Sequence, residues 1–102
     1  MGGVIWAPSA LEDVESIAHY ITRDSADRAA LFVGRLFEAA DRLVQFPEIG
    51  RVIPELNDTA RREVFVGPYR LMYRIEGRDV WIVAIVHGAR DWPPPSQEEM
   101  HR

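Results

Sequence analysis

Tyr69-Arg70-Leu71-Met72-Tyr73-Arg74-Ile75-Glu76-Gly77-Arg78-Asp79-Val80-Trp81-Ile82-Val83-Ala84-Ile85-Val86-His87 is the stretch that decides the fold. Its first run alternates in polarity, as a strand with two unlike faces does. Its second run is apolar almost throughout, which suits a strand covered on both faces in the middle of a sheet. A turn over Glu76–Asp79 pairs Ile75 with Val80. That register sets Tyr73 opposite Ile82, Leu71 opposite Ala84 and Tyr69 opposite Val86 on one face. The other face pairs Arg74 with Trp81, Met72 with Val83 and Arg70 with Ile85, and His87 follows beside Arg70. The first face is expected to be core beneath helices, and the second a partly open surface. Arg74 is expected to lie across Trp81 as a cation–π pair.

Upstream, Arg62–Val66 reads as a further strand, closed onto Tyr69 by Gly67-Pro68. Residues 47–61 carry Pro47, Gly50, Pro54, Asn57 and Asp58 and read as a loop. Two helical stripes precede them. The first begins at Ser9-x-x-Glu12, the pattern of a capping box, and continues through Leu11, Val14, Ile17, Ala18 and Ile21. It stops near Thr22–Ser25, where Asp24 and Ser25 can cap the next helix. The second stripe is Ala29, Phe32, Val33, Leu36, Phe37, Ala40, Leu43 and Val44, ending at Gln45–Pro47. Glu12, Asp13 and Glu15 read as a solvated helix start matched to the dipole. Gly3–Trp6 makes a first strand, and Trp92-Pro93-Pro94-Pro95 suits neither helix nor central strand. The expectation is one α+β domain over residues 1–102, with 92–102 a flexible tail. Its order is β-α-α-β-β-β, a helical hairpin packed on a mostly antiparallel four-stranded sheet.

The chain has 102 residues, 47% of them hydrophobic, enough for one core and too apolar for disorder. It contains no cysteine, which removes disulfides and thiolate chemistry and fits a cytoplasmic protein. No apolar run approaches the roughly 20 residues of a membrane span, and Met1–Ser9 lacks the basic-then-apolar pattern of a secretory signal. The net charge of −4 argues against a protein that coats nucleic acid. Acids outnumber arginines over residues 1–50, and the order reverses over 51–97.

There is no phosphate-binding glycine loop, no Gly-x-Ser-x-Gly and no His-Glu-x-x-His, so no cofactor and no metal is expected. One chemistry remains open. RNA can be cut by its own 2′-hydroxyl given a base, an acid and cations at the phosphate. Arg70, His87 and Arg90 are the candidates for that set. As a binding surface, the candidates are Arg70, Met72, Arg74, Trp81, His87 and Arg90.

Four segments in order resemble the RelE/ParE toxin superfamily, and most closely its ParE-like members. They are Trp6-Ala7-Pro8-Ser9-Ala10-Leu11-Glu12-Asp13, Pro47-Glu48-Ile49-Gly50-Arg51, Arg62-Glu63 through Gly67-Pro68-Tyr69-Arg70-Leu71-Met72-Tyr73-Arg74-Ile75, and Val83–Asp91. The resemblance implies the toxin of a type II toxin–antitoxin system. It would form a hetero-oligomer with a cognate antitoxin, whose extended C-terminal segment wraps the toxin. ParE-like members poison DNA gyrase; RelE-like members cut messenger RNA on the ribosome, and Arg70 and Arg90 resemble their functional arginines. The nuclease members often carry an acid/base residue soon after the second arginine, where this chain has Trp92-Pro93-Pro94-Pro95-Ser96. The gyrase reading is therefore favoured, with a ribosome-dependent ribonuclease and a detoxified, binding-only relative as alternatives. The antitoxin is expected in the apolar groove between helices and sheet.

Overall fold

A computed structural model describes residues 2–88. The order is β1 (Val4–Trp6), α1 (Pro8–Thr22), α2 (Ala26–Gln45), β2 (Arg51–Val52), β3 (Arg61–Val66), β4 (Tyr69–Glu76) and β5 (Asp79–His87). The strands form one sheet in the order β1-β5-β4-β3-β2. β1 runs parallel to β5, and every other neighbouring pair is antiparallel. The α+β class stands, with five strands instead of four. The addition is β2: Arg51 and Val52, read as loop, pair with Glu63 and Arg62 on the edge of β3. The expected tail over 92–102 lies outside the described residues.

Both tight hairpins rest on glycine. Gly67 has φ +56° and Gly77 φ +60°, each the first residue of a two-residue turn, which is what a type II′ turn demands there. The two helices pack on each other and cover one face of the sheet. Val14, Ile17, Phe32, Leu36 and Leu43 meet Leu71, Tyr73, Val80, Ile82 and Ile85 in the main core. Leu11, placed on the buried stripe from sequence, is 45% exposed, and Ala10 takes its place. The helix starts at Pro8, with Ala7 as its N-cap, so its buried face is set by Ala10, Val14 and Ile17.

The register expected for β4 and β5 holds only for half their length. Ile75↔Val80, Arg74↔Trp81 and Tyr73↔Ile82 pair as read, then a bulge between Met72 and Tyr73 shifts the rest by one. Leu71 pairs with Ile85, not Ala84; Tyr69 pairs with His87, not Val86. The extra residue lets Val83 and Ala84 both join the second-face cluster around Met72, while Ile85 turns into the main core. A strictly alternating strand would have sent Ile85 to the other side.

The second face is open only in part: Phe65 on it is exposed, while Trp81, Ala84 and Val86 are half-buried. Ile53 and Leu56, from the segment after β2, pack on Met72, Val83, Trp81, Ala84 and Val86. Arg70, Met72 and Arg74 on this face are all buried. The 47–61 segment, read as plain loop, therefore covers part of the surface expected to be partly open.

β1 ends opposite Ile82, before β5 does, and Ala7 with the start of α1 takes over the hydrogen bonding along that edge. Ala7 N–H donates to the Ile82 carbonyl at 2.9 Å, the Ser9 hydroxyl donates to the Val83 carbonyl at 3.2 Å, and Asp13 Oδ2 accepts from Ile85 N–H at 2.9 Å. Ser9 and Asp13 lie four residues apart on one helix face, so both reach the same strand edge. Two expectations are corrected here: Ser9 makes no helix cap, and Asp13 is not a solvated charge. The second cap is as read, with Ser25 accepting from Arg28 N–H.

Burial, the largest influence, raises the Asp13 pKa, against the opposing effect of the Ile85 N–H. A carboxyl with its folded-state pKa raised binds protons more readily folded than unfolded. Its contribution is therefore most favourable at low pH and is lost as pH rises through the raised value. Asp13→Asn keeps an oxygen acceptor without the charge. It should leave stability at pH 7 unchanged or slightly higher, and lose that advantage towards pH 4. Asp13→Ala should cost about 1 kcal/mol. Urea titrations at both pH values check this; an Asn variant weakened more at pH 7 than at pH 4 contradicts it.

Candidate functional site

The charged groups on the second face form a chain of four: Arg51, Glu63, Arg70 and Glu55. Cross-strand order places them. Arg70 on β4 pairs with Phe65 on β3, so Glu63 lies two residues along on the same face, and Arg51 on β2 pairs with Glu63. Glu63 is 1% exposed and holds two guanidinium groups. Arg51 Nε donates to its Oε2 at 2.6 Å, and Arg70 Nε donates to its Oε1 at 2.6 Å. The remaining edge of Arg70 meets Glu55 as a fork, Nη1 to Oε2 at 2.9 Å and Nη2 to Oε1 at 2.8 Å. Both shifts agree in direction. Hydrogen bonding from Arg70 lowers the Glu55 pKa, and bonding from Glu55 raises that of Arg70. Arg51 also lies over the exposed Phe65 ring, 5.4 Å from its centroid.

The other sequence candidates separate. Arg74 lies over Trp81 at 5.2 Å, the stack expected of it, and donates to Glu76 at 2.7 Å. Met72 is fully buried. His87 is exposed, but the bulge has carried it to the helix side of the sheet. There its ring meets Tyr69 edge-on at 5.2 Å, and Tyr69 in turn meets Phe32 at 5.2 Å. Arg70 and His87 therefore occupy opposite faces, and the convergence expected of them does not occur. Arg90 lies outside the described residues. Sequence reasoning missed Glu55, Glu63 and Arg51. Glu63 was within reach of it, because the two-residue turn at Gly67-Pro68 fixes the diagonal of Glu63 and Arg70. Glu55 carried no comparable signal.

A second buried polar group braces the same region from the core side. The Tyr73 hydroxyl donates to the Pro47 carbonyl at 2.6 Å and accepts from Gly50 N–H at 3.0 Å. A Cβ on Gly50 would stand 2.6 Å from both the Glu63 carbonyl oxygen and the Tyr73 hydroxyl, so only glycine fits. Pro-x-x-Gly-Arg is thus a connector whose proline carbonyl, glycine and arginine each have a partner on β3 or β4.

The model of the ParE toxin of type II toxin–antitoxin systems, parDE, matches residues 4–92. The chain belongs to the ParE toxin family. It is 37% identical over 89 residues to the putative toxin Y4kP of Sinorhizobium fredii, covering 86% of this chain and 90% of that one. It is 39% identical over 90 residues to toxin RelE2 of Caulobacter vibrioides, covering 88% of this chain and 99% of that one. Among solved structures, the chromosomal ParDE TA system from P. aeruginosa matches with a TM-score of 0.70 at 22% identity, covering 85% of this chain and 96% of that chain. This ParE-family protein is accordingly the toxin of a type II toxin–antitoxin pair, and its partner is an antitoxin. None of its described helices is long and apolar enough to cross a membrane.

Proposed function

We propose that the protein acts in the cytoplasm as a ParE-type toxin that inhibits DNA gyrase and stalls replication until its antitoxin binds. One observation carries the choice over the ribonuclease reading: Arg70 and His87 lie on opposite faces of the sheet. Metal-independent RNA cleavage needs its cation and its acid/base group around one phosphate. Arg70 is 5% exposed, and its Nε and both Nη atoms already donate to Glu63 and Glu55. The negative net charge also fits a protein-directed toxin better than one seated on ribosomal RNA. The name of the RelE2 relative keeps the ribonuclease as the second reading.

Expression without antitoxin should arrest growth and DNA synthesis while translated messages stay intact in primer extension. Codon-associated cuts appearing before replication slows would reverse the choice. Unimpaired growth with folded protein would favour the binding-only reading.

A further inference from the structure

We propose that the protein's own C-terminal segment, Trp92-Pro93-Pro94-Pro95, docks on the apolar strip that the second face leaves partly uncovered. The inference goes beyond the proposed function and does not depend on which target the toxin meets. It puts a segment that completes the face in place of the flexible tail expected from the sequence. Strand pairing lays out the strip. Phe65, Arg70 and Val86 stand in one row across β3, β4 and β5, and Met72 pairs with Ala84 in a neighbouring row. Phe65 is 55% exposed. Val86, Ala84 and Trp81 are half-buried, although they pack on the cluster of Ile53, Met72 and Val83. Ile53 and Leu56 therefore cover this cluster incompletely. An aromatic ring stands towards each end of the strip, Phe65 beneath Arg51 and Trp81 beneath Arg74.

The chain leaves the sheet beside this strip. Gly88 N–H donates to the Pro68 carbonyl at 2.7 Å. A Cβ on Gly88 would stand 3.1 Å from Phe65 Cε1 and 3.8 Å from Arg70 Cγ, so Gly88 lies against the second face. Only Ala89, Arg90 and Asp91 separate it from Trp92. From Gly88 to Trp92 the chain spans at most about 14 Å, and from Gly88 back to Ala84 along β5 is about 13 Å. Trp92 is thus within reach of Phe65, Val86 and Ala84. The three prolines, at about 3.1 Å each in the extended helix that consecutive prolines favour, carry the segment on to Trp81. So short a tether presents the segment at an effective concentration on the order of millimolar, which a separate partner in dilute solution does not match. The chemistry fits as well. Prolines have no N–H with which to extend a sheet edge, and they offer ring faces to aromatic side chains. Trp92 brings about 150–250 Å² of surface to bury, the largest payload a side chain carries.

The test is fluorine NMR of the full-length protein labelled with fluorotryptophan, in which Trp6, Trp81 and Trp92 are the reporters. Trp92→Phe and Trp6→Phe assign two of the resonances. The Trp92 resonance should lie away from its position in urea-unfolded protein and stay there on dilution. Phe65→Ser, at an exposed position, should lower the ratio of docked to free segment roughly tenfold and move the resonance towards the unfolded position. Ala84→Glu, which places a charge in the middle of the strip, should do the same. Trp6 packs on Phe37 at 4.7 Å on the helix side of the sheet, so its unchanged resonance reports that each variant is folded. If Ala84→Glu does not fold, Phe65→Ser carries the test. A Trp92 resonance at the unfolded position in the wild type overturns the proposal. So does a displaced resonance that neither folded variant moves. A displacement that appears only at high concentration would assign the strip to the tail of a second copy, and one that appears only with antitoxin present would assign it to the partner; either also overturns it.

Discussion

Glu63→Ala is expected to lower the unfolding free energy by about 3–5 kcal/mol, the cost of breaking a buried ion pair from one side. The carboxylate is fully buried between Arg51 and Arg70. The Arg51 side chain is 56% exposed and can return to water, whereas that of Arg70 is 7% exposed and cannot. Glu55 still holds one edge of Arg70, which places the effect at the lower end of that range. A domain of this size has only about 5–15 kcal/mol of stability in all, so the variant should melt early and expose the segment carrying Ile53 and Leu56. Urea denaturation of wild type and variant measures the loss. A drop below about 1 kcal/mol would place the network with weak surface ion pairs. Replacing Glu63 and Arg70 together by Leu and Met should recover much of the loss, since no buried charge is then left without its partner.

Tyr73→Phe should cost about 2 kcal/mol, although it removes a single oxygen. Tyr73 is 0% exposed, and its hydroxyl serves one donor and one acceptor, Gly50 N–H and the Pro47 carbonyl. Gly50 is itself buried, so its amide has no water to turn to. Burial also raises the tyrosine pKa, the largest influence on it, so the hydroxyl stays protonated across the physiological range. The loss should be local as well as global. Hydrogen exchange at the Gly50 amide should accelerate more than at amides of β4, because the connector from Phe46 to Arg51 loses its tie to the sheet. Equal protection of Gly50 in both proteins would mean that the hydroxyl does not hold the connector.

Much of this fold was legible in the residues. The two stripes of α1 and α2, the turn glycines and the alternation of Tyr69–Ile75 each have a local cause, and they produced the elements observed. The register of β4 on β5 was legible only as far as Ile82. Beyond it, Val83-Ala84-Ile85-Val86 is apolar throughout, and no polar residue marks which side chain faces which way. A bulge there leaves no trace in the alternation, yet it decides the face of His87. The cover over the second face was hidden for a related reason. Ile53 and Leu56 are isolated apolar residues among turn formers, and short-range patterning cannot tell what they reach across to. Ser9 and Asp13 were misread because their local explanation, a helix start, was complete without the strand edge they serve.

Supercoiling of relaxed plasmid by purified gyrase, with the purified protein added, tests the central claim most directly. Dose-dependent inhibition, reversed by a stoichiometric antitoxin and unaccompanied by cleavage of messages in a translating extract, is the result expected of a ParE-family toxin whose Arg70 is buried against Glu63 and Glu55 and whose His87 lies on the far face. Undiminished supercoiling at every concentration of folded protein, with codon-associated cuts in the extract, would contradict it.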